Sequence, residues 1–259
     1  MAHTKPHNTE LMETYSRYLD LSLQEHLEDV KNVSKFNADA VLMTSMIFRM
    51  AAFAILPERS LNPYGPPIQW LKLVRSTGRG SRDIWQLISN DEFSVFRMLL
   101  RRSPITDDTP EIVDFESLFA EHHRAGLNHL LNRSELDEQI EPWDADIHEA
   151  YTSTLSYVGA MQTAVAARDA PADTCRRVLL FPIMTVTRYH ELVEEQRPRA
   201  LVILAHYFAV LAMFRDSWWI GDAGRREIIA IQSVLPNQWQ EFLIWPLRAM
   251  NNKIELGNW

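Results

Sequence analysis

Apolar residues recur at helical intervals along nearly the whole chain. Leu11, Tyr15, Tyr18, Leu19, Leu23, Leu27 and Val30 predict a first amphipathic helix, with Glu and Lys on its other side. Asn37 is placed to cap a second helix, lined by Val41, Met43, Ile47, Phe48, Ala51 and Ile55 and stopped by Pro57. The loop Asn62-Pro63-Tyr64-Gly65-Pro66-Pro67 leads into a third helix with Pro67 at its first position, carrying Ile68, Trp70, Leu71 and Val74. Gly78-Arg79-Gly80 breaks it, and Ser81 starts a short helix with Ile84, Trp85 and Ile88. Phe93, Phe96, Met98 and Leu99 belong to the next one.

After a polar loop from Ser103 to Pro110, Phe115, Leu118, Phe119, Leu127, Leu130 and Leu131 return at helical spacing. Trp143, Ile147, Tyr151, Leu155, Val158 and Gln162 mark a long helix ending near Arg168. Asp169-Ala170-Pro171 turns the chain into another helix, which Pro182 kinks or restarts. Pro198 opens a strongly apolar helix, Trp218-Trp219 lead into a helix from Asp222 to Leu235, and a last helix holds Trp239, Phe242 and Trp245 before Pro246. No stretch alternates with period two for long enough to be a strand, and no internal repeat is visible. The expected fold is all-α: a single compact domain over residues 1–259, of nine to eleven helices.

Composition sharpens this picture in three places. With only 8 Gly in 259 residues there is little material for tight hairpins. The formal net charge of −8 opposes binding to a polyanion, so no nucleic-acid partner is expected for this chain alone. One cysteine, Cys175, excludes an internal disulfide and a cysteine-based zinc site. The polar residues from Met1 to Glu10 hold no apolar signal core, and the apolar run Leu201–Phe214, interrupted by His206, falls short of the ~18 residues of a membrane span. An intracellular protein, cytoplasmic or nuclear, without a membrane span is expected, and a homodimer is an allowed assembly.

Catalytic motifs are sparse. Asp107-Asp108-Thr109-Pro110-Glu111 has the DDxxE form with which helical terpene cyclases hold magnesium, but Pro110 interrupts the helix such a site needs, and no second triad follows. His122, His123 and His129 lack the i, i+3 or i+4 spacing of helical metal ligands. No metal and no cofactor is therefore expected. No phosphate loop or nucleophile elbow occurs.

The apolar helix carries more. Val202, His206, Ala209 and Met213 share one face, where small alanines at 205, 209 and 212 leave room beside a polar anchor, His206 or its neighbour Tyr207. The leading reading of His206 is nonetheless a buried histidine bonded to a backbone carbonyl, with the pocket wall as the alternative. Met43, Met46 and Met50 form an adaptable strip on the second helix, and Trp70, Trp218 and Trp219 either line the same cavity or pack the core.

The stretch Pro198-Arg199-Ala200-Leu201-Val202-Ile203-Leu204-Ala205-His206-Tyr207, then Trp218-Trp219, then Trp239 and Trp245-Pro246, resembles the C-terminal regulatory domain of fungal zinc-cluster transcription factors of the sterol uptake control type. Trp70-Leu71-Lys72-Leu73-Val74-Arg75 and Asn37-Ala38-Asp39-Ala40 are similar to segments upstream in that family, so the likeness runs from about Tyr15 to Pro246. The resemblance implies an all-helical domain with an apolar pocket for a sterol, terpenoid or polyketide-like molecule. The six cysteines of the family's DNA-binding cluster are absent, so the chain reads either as part of a longer regulator or as a stand-alone protein. Two functions follow: a ligand-sensing module, or a cofactor-free cyclase or pericyclase of fungal secondary metabolism that uses the same pocket, with His206 and Tyr207 as the candidate catalytic groups.

Overall fold

A computed structural model describes residues 9–78, 81–96, 98, 116–133 and 141–254. Among these residues ten α-helices and four 3₁₀ segments form, and no strand. The chain is all-α, with the number of helices its periodicity predicts. Its contacts divide it into two compact units, Met1–Ile47 with Arg79–Met98, and Phe48–Gly78 with Leu99–Trp259.

The first unit holds helix α1 (Thr9–Lys31), the start of α2 (Ala38–Ile55) and α4 (Ser81–Ile88). The inward stripe of α1 is narrow: Leu19, Leu23, His26 and Val30 are covered, and His26 Nε2 hydrogen-bonds Ser45 Oγ at 2.9 Å. Tyr18 and Leu27, expected on that face, are exposed because each lies one residue off the row. Asn37 acts at the turn before α2: its Oδ1 accepts from the Ser34 N–H at 2.7 Å and from the Ser34 hydroxyl. Asp39 accepts from Ser94 Oγ and from the amides of Val95 and Phe96, fixing the turn that follows α4. Phe96 is buried against Trp85, whereas Phe93, predicted beside it, is exposed.

The second unit is built on α5 (Ala145–Ala167) and α8 (Pro198–Ala212). Asp144 caps α5 by accepting from the Ile147 amide at 2.7 Å, and Arg168 ends it in the left-handed conformation. Pro198 opens α8, and every residue from Arg199 to Ala212 is buried. Around these two pack α3 (Ile68–Gly78), α6 (Pro171–Met184), α7 (Thr187–Glu194), α9 (Ala223–Val234) and α10 (Ile244–Ala249). Pro182 lies inside α6, which runs on to Met184. Arg75 on α3 ties the α6–α7 junction, donating to the Thr185 carbonyl and to Thr187 Oγ1.

Two close approaches require glycine. A Cβ on Gly224 in α9 would stand 2.5 Å from the Phe208 carbonyl and 2.8 Å from the Ala212 nitrogen, so α9 lies directly on the small residues of α8. A Cβ on Gly159 in α5 would stand 2.1 Å from the His123 carbonyl. The segment crossing there, Glu121–Leu131, is a 3₁₀ helix and not the α-helix expected from its spacing. At three residues per turn Leu127 and Leu130 eclipse one another, which puts both in the core. The last predicted helix is likewise divided: Asn237–Leu243 is 3₁₀, and Pro246 sits within the first turn of α10, where its missing N–H costs nothing.

The helix over Ala38–Glu58 is, among the described residues, long and apolar enough to cross a membrane by length and composition. Part of it is buried, through Ala38, Val41 and Leu42 in the first unit and Phe48, Ala52, Phe53 and Leu56 in the second, while Ile47 is exposed.

Candidate functional site

The predicted row on α8 lies wholly in the interior: Val202, His206, Ala209 and Met213 are each 2% exposed or less. His206 has partners on both ring nitrogens. Gln162 Nε2 lies 3.1 Å from Nδ1, and Nε2 lies 3.1 Å from the Phe242 carbonyl. A carbonyl only accepts, so Nε2 carries the proton and Nδ1 receives the Gln162 N–H. The ring stacks parallel on Trp245, 5.4 Å away. Burial pushes its pKa down to about 4, so the imidazole is neutral at physiological pH. Tyr207 donates to the Val178 carbonyl at 3.2 Å and stacks on Phe181 at 4.0 Å, and burial drives its phenol pKa far up.

Trp70 and Trp219 meet through one aromatic cluster. Phe53 stands edge-on to both, at 5.2 and 6.0 Å, and Tyr207 and Phe208 lie against Trp70. Trp218 does not join them: it is 82% exposed, so the tryptophan pair splits between core and surface. Met43, Met46 and Met50 are half-buried along α2; Met50 packs on the core of the second unit, while Met43 and Met46 belong to the first.

The structure adds a group that periodicity did not single out. Arg199, seven positions and two helical turns before His206 on the same face of α8, is 1% exposed. Its Nε donates to Glu141 Oε2 at 3.0 Å, and its Nη1 to the carbonyls of Leu130 and Asn132. Tyr151 donates to the other Glu141 oxygen at 3.0 Å. The guanidinium lies between two indoles, 5.2 Å from the Trp143 ring and 5.0 Å from that of Trp239. The sequence signal was an arginine in the first turn of a helix otherwise apolar through its length; its partner lies 58 residues away.

The two parts of the quoted likeness therefore pack on each other. Trp239 covers Arg199 and Trp245 covers His206, so the segment from Trp239 to Pro246 closes over the polar row of α8.

A second polar group sits on α9. Glu227, 1% exposed, binds Arg59 in bidentate fashion at 2.5 and 3.1 Å; Arg59 also donates to the Gly65 carbonyl, and Tyr64 reaches Glu227 at 3.4 Å. Burial raises the Glu227 pKa, against the pull of Arg59. Alongside runs a shallow surface groove of about 300 Å³, lined by Leu61, Arg226, Ile229, Ala230 and Ser233.

Among the described residues no three His, Cys, Asp or Glu side chains stand together as a metal site. His129 stacks on Phe242, and the rings of His122 and His123 face each other at 4.1 Å. Asp107, Asp108 and Glu111 lie outside the described residues. Cys175 is buried, its thiol pushed up to about 12 by desolvation, which makes it a poor nucleophile.

No family model matches the chain, and no solved structure does. The chain is similar to the Zn(2)-C6 fungal-type transcription factor afumD of Aspergillus fumigatus, 26% identical over 209 residues, covering 80% of this chain and 52% of that protein. It is similar also to a Zn(2)-C6 fungal-type transcription factor of Gibberella zeae, 25% identical over 224 residues, 82% of this chain and 42% of the relative. The chain thus spans about half the length of the relatives it matches. They support a relation to fungal zinc-cluster transcription factors.

Proposed function

We propose that this chain is a regulatory domain of transcription-factor type that binds an apolar small molecule of sterol, terpenoid or polyketide-like chemistry in its second unit. The observation that carries the reading is the closure of the Trp239–Pro246 segment over Arg199 and His206. A polar group inside an otherwise apolar helix is costly unless it is hydrogen-bonded; Arg199 and His206 are both engaged in this way, and one short segment covers both through two aromatic contacts. Displacing that segment would uncover an apolar wall with two polar points two turns apart, which is the composition of a small-molecule site.

The ionisation of these groups favours binding over proton transfer. His206 is neutral with both nitrogens engaged, and Tyr207 holds its proton far above neutral pH. Neither is poised as a general base or acid near pH 7. DNA contact, on this reading, belongs to a part of a regulator that this acidic chain does not supply, and the place of action is intracellular, in the nucleus when joined to such a part.

The test is native mass spectrometry of the chain purified from a fungal host. The expected result is a bound apolar species of defined mass, lost on Ala209→Trp while the helical circular dichroism is kept. A chain that carries nothing, with an Ala209→Trp variant of unchanged behaviour, contradicts the reading. A chemically altered product released on adding a candidate precursor would move the assignment to a cyclase or pericyclase.

A further inference from the structure

Two neighbouring N–H groups in the core have no acceptor. Arg199 Nη2 and Trp239 Nε1 are both sealed from solvent, and neither atom makes a hydrogen bond. Arg199 has committed Nε to Glu141 and Nη1 to two carbonyls, so its third nitrogen is left over. Its guanidinium centre lies over the Trp239 ring, 5.0 Å from the centroid, so the two unpaired nitrogens border the same patch of core. Buried donors without partners are rare, because their hydration is lost with nothing in return. Two of them bordering one patch offer a ligand oxygen a place to be held.

Charge selects the kind of oxygen. Arg199 is already matched by Glu141, itself held by Tyr151, and the indole is uncharged. An incoming carboxylate or phosphate would add a buried negative charge beside Glu141. A hydroxyl or carbonyl oxygen accepts the same two hydrogen bonds with no such cost. The surroundings are apolar and flat: Trp143 and Trp239 flank the guanidinium, and Phe242 packs on Trp239 at 5.6 Å.

We propose that a neutral oxygen, hydroxyl or carbonyl, of a bound apolar molecule accepts hydrogen bonds from Arg199 Nη2 and Trp239 Nε1 together. This rests on the reading of the chain as a small-molecule binder and specifies the polar end of what it binds. Trp239 belongs to the covering segment, so the ligand oxygen would tie that segment to α8. Ligand occupancy would then be read out in the position of the segment from Trp239 to Pro246.

The experiment compares four probes on the full chain: ergosterol, its 3-ketone, its 3-sulfate and its 3-deoxy analogue, with Kd measured by radioligand competition. The expected result is similar affinity for the alcohol and the ketone, and at least tenfold weaker binding of the sulfate and of the deoxy compound. Trp239→Phe, which removes the indole N–H and keeps an aromatic ring on Arg199, should narrow the alcohol-to-deoxy ratio to about threefold or less. Equal binding of the deoxy compound, preferred binding of the sulfate, or an unchanged ratio in Trp239→Phe overturns the inference and leaves the binding function standing. So does a crystal structure of the ergosterol complex with an ordered water on both nitrogens. Failure of all four probes to bind removes sterol binding itself, and this inference with it.

Discussion

Two buried groups of the second unit use the same three residue types in opposite arrangements. At one, the arginine is on a helix and the glutamate on the segment leading into another: Arg199 of α8 with Glu141, completed by Tyr151. At the other the glutamate is on the helix and the arginine on a loop: Glu227 of α9 with Arg59, completed by Tyr64. In the first pair the side chains are 1% and 7% exposed; in the second, the glutamate is 1% exposed but the arginine 23%.

A guanidinium is weakly hydrated and can lie on aromatic faces, so it tolerates full burial between Trp143 and Trp239. A buried carboxylate holds its charge less readily, and Glu227 shows this in its raised pKa. The first group is thus a closed interior device with a donor to spare, and the second a latch that ties the loop before α3 to α9 with one end reaching water.

The comparison is broken most directly by removing one partner from each. Glu141→Ala leaves Arg199 charged and enclosed, and is expected to cost about 3–5 kcal/mol in urea unfolding. Glu227→Ala leaves Arg59 able to turn toward solvent, and is expected to cost about 1–3 kcal/mol. Equal losses would mean that the two groups differ in position and not in kind.

Acid separates the α8 row from the latch. His206 of α8, and His190 of α7, which is buried with its Nε2 2.8 Å from Thr185 Oγ1, have pKa values pushed down to about 4 by burial, from 6.5 in the unfolded chain. Between those values the unfolded state binds the proton and the folded state does not. Stability is therefore complete above pH 6.5 and falls as pH drops from 6.5 toward 4, by about 3 kcal/mol for each histidine. Urea unfolding at pH 7 and pH 4 should show that His206→Gln recovers about half of this acid loss, whatever its effect at pH 7. A wild-type chain as stable at pH 4 as at pH 7 contradicts the neutral-histidine assignment.

The tyrosines give the smallest and finest difference. Tyr151→Phe removes a 3.0 Å hydrogen bond to a buried carboxylate and is expected to lower stability by about 1–2 kcal/mol. Tyr64→Phe removes a 3.4 Å contact and should stay within about 0.5 kcal/mol. Thermal melts of the two variants side by side check the order.

Local periodicity was enough to establish the class of fold and the burial of α8. A helix apolar on all sides apart from Arg199 and His206 can satisfy its backbone internally and has no polar face to turn outward, so the run opened by Pro198 had to be interior. Proline and the lone cysteine were equally informative, because their constraints are covalent and local: Pro57, Pro171 and Pro198 stand at element boundaries, and no disulfide can form within the chain. What tertiary structure decided is of another kind. That Leu127 and Leu130 lie on a 3₁₀ and not an α helix is visible only in the folded chain, where their segment crosses α5 closely at Gly159. Which of Trp218 and Trp219 faces inward depended on the path of the turn into α9. That Arg199 is paired and His206 satisfied depended on Glu141, Gln162 and the Phe242 carbonyl, each far along the chain. A hydrogen-bond partner imposes no pattern on the residues around it, so periodicity can show that a polar side chain is buried but not what receives its proton.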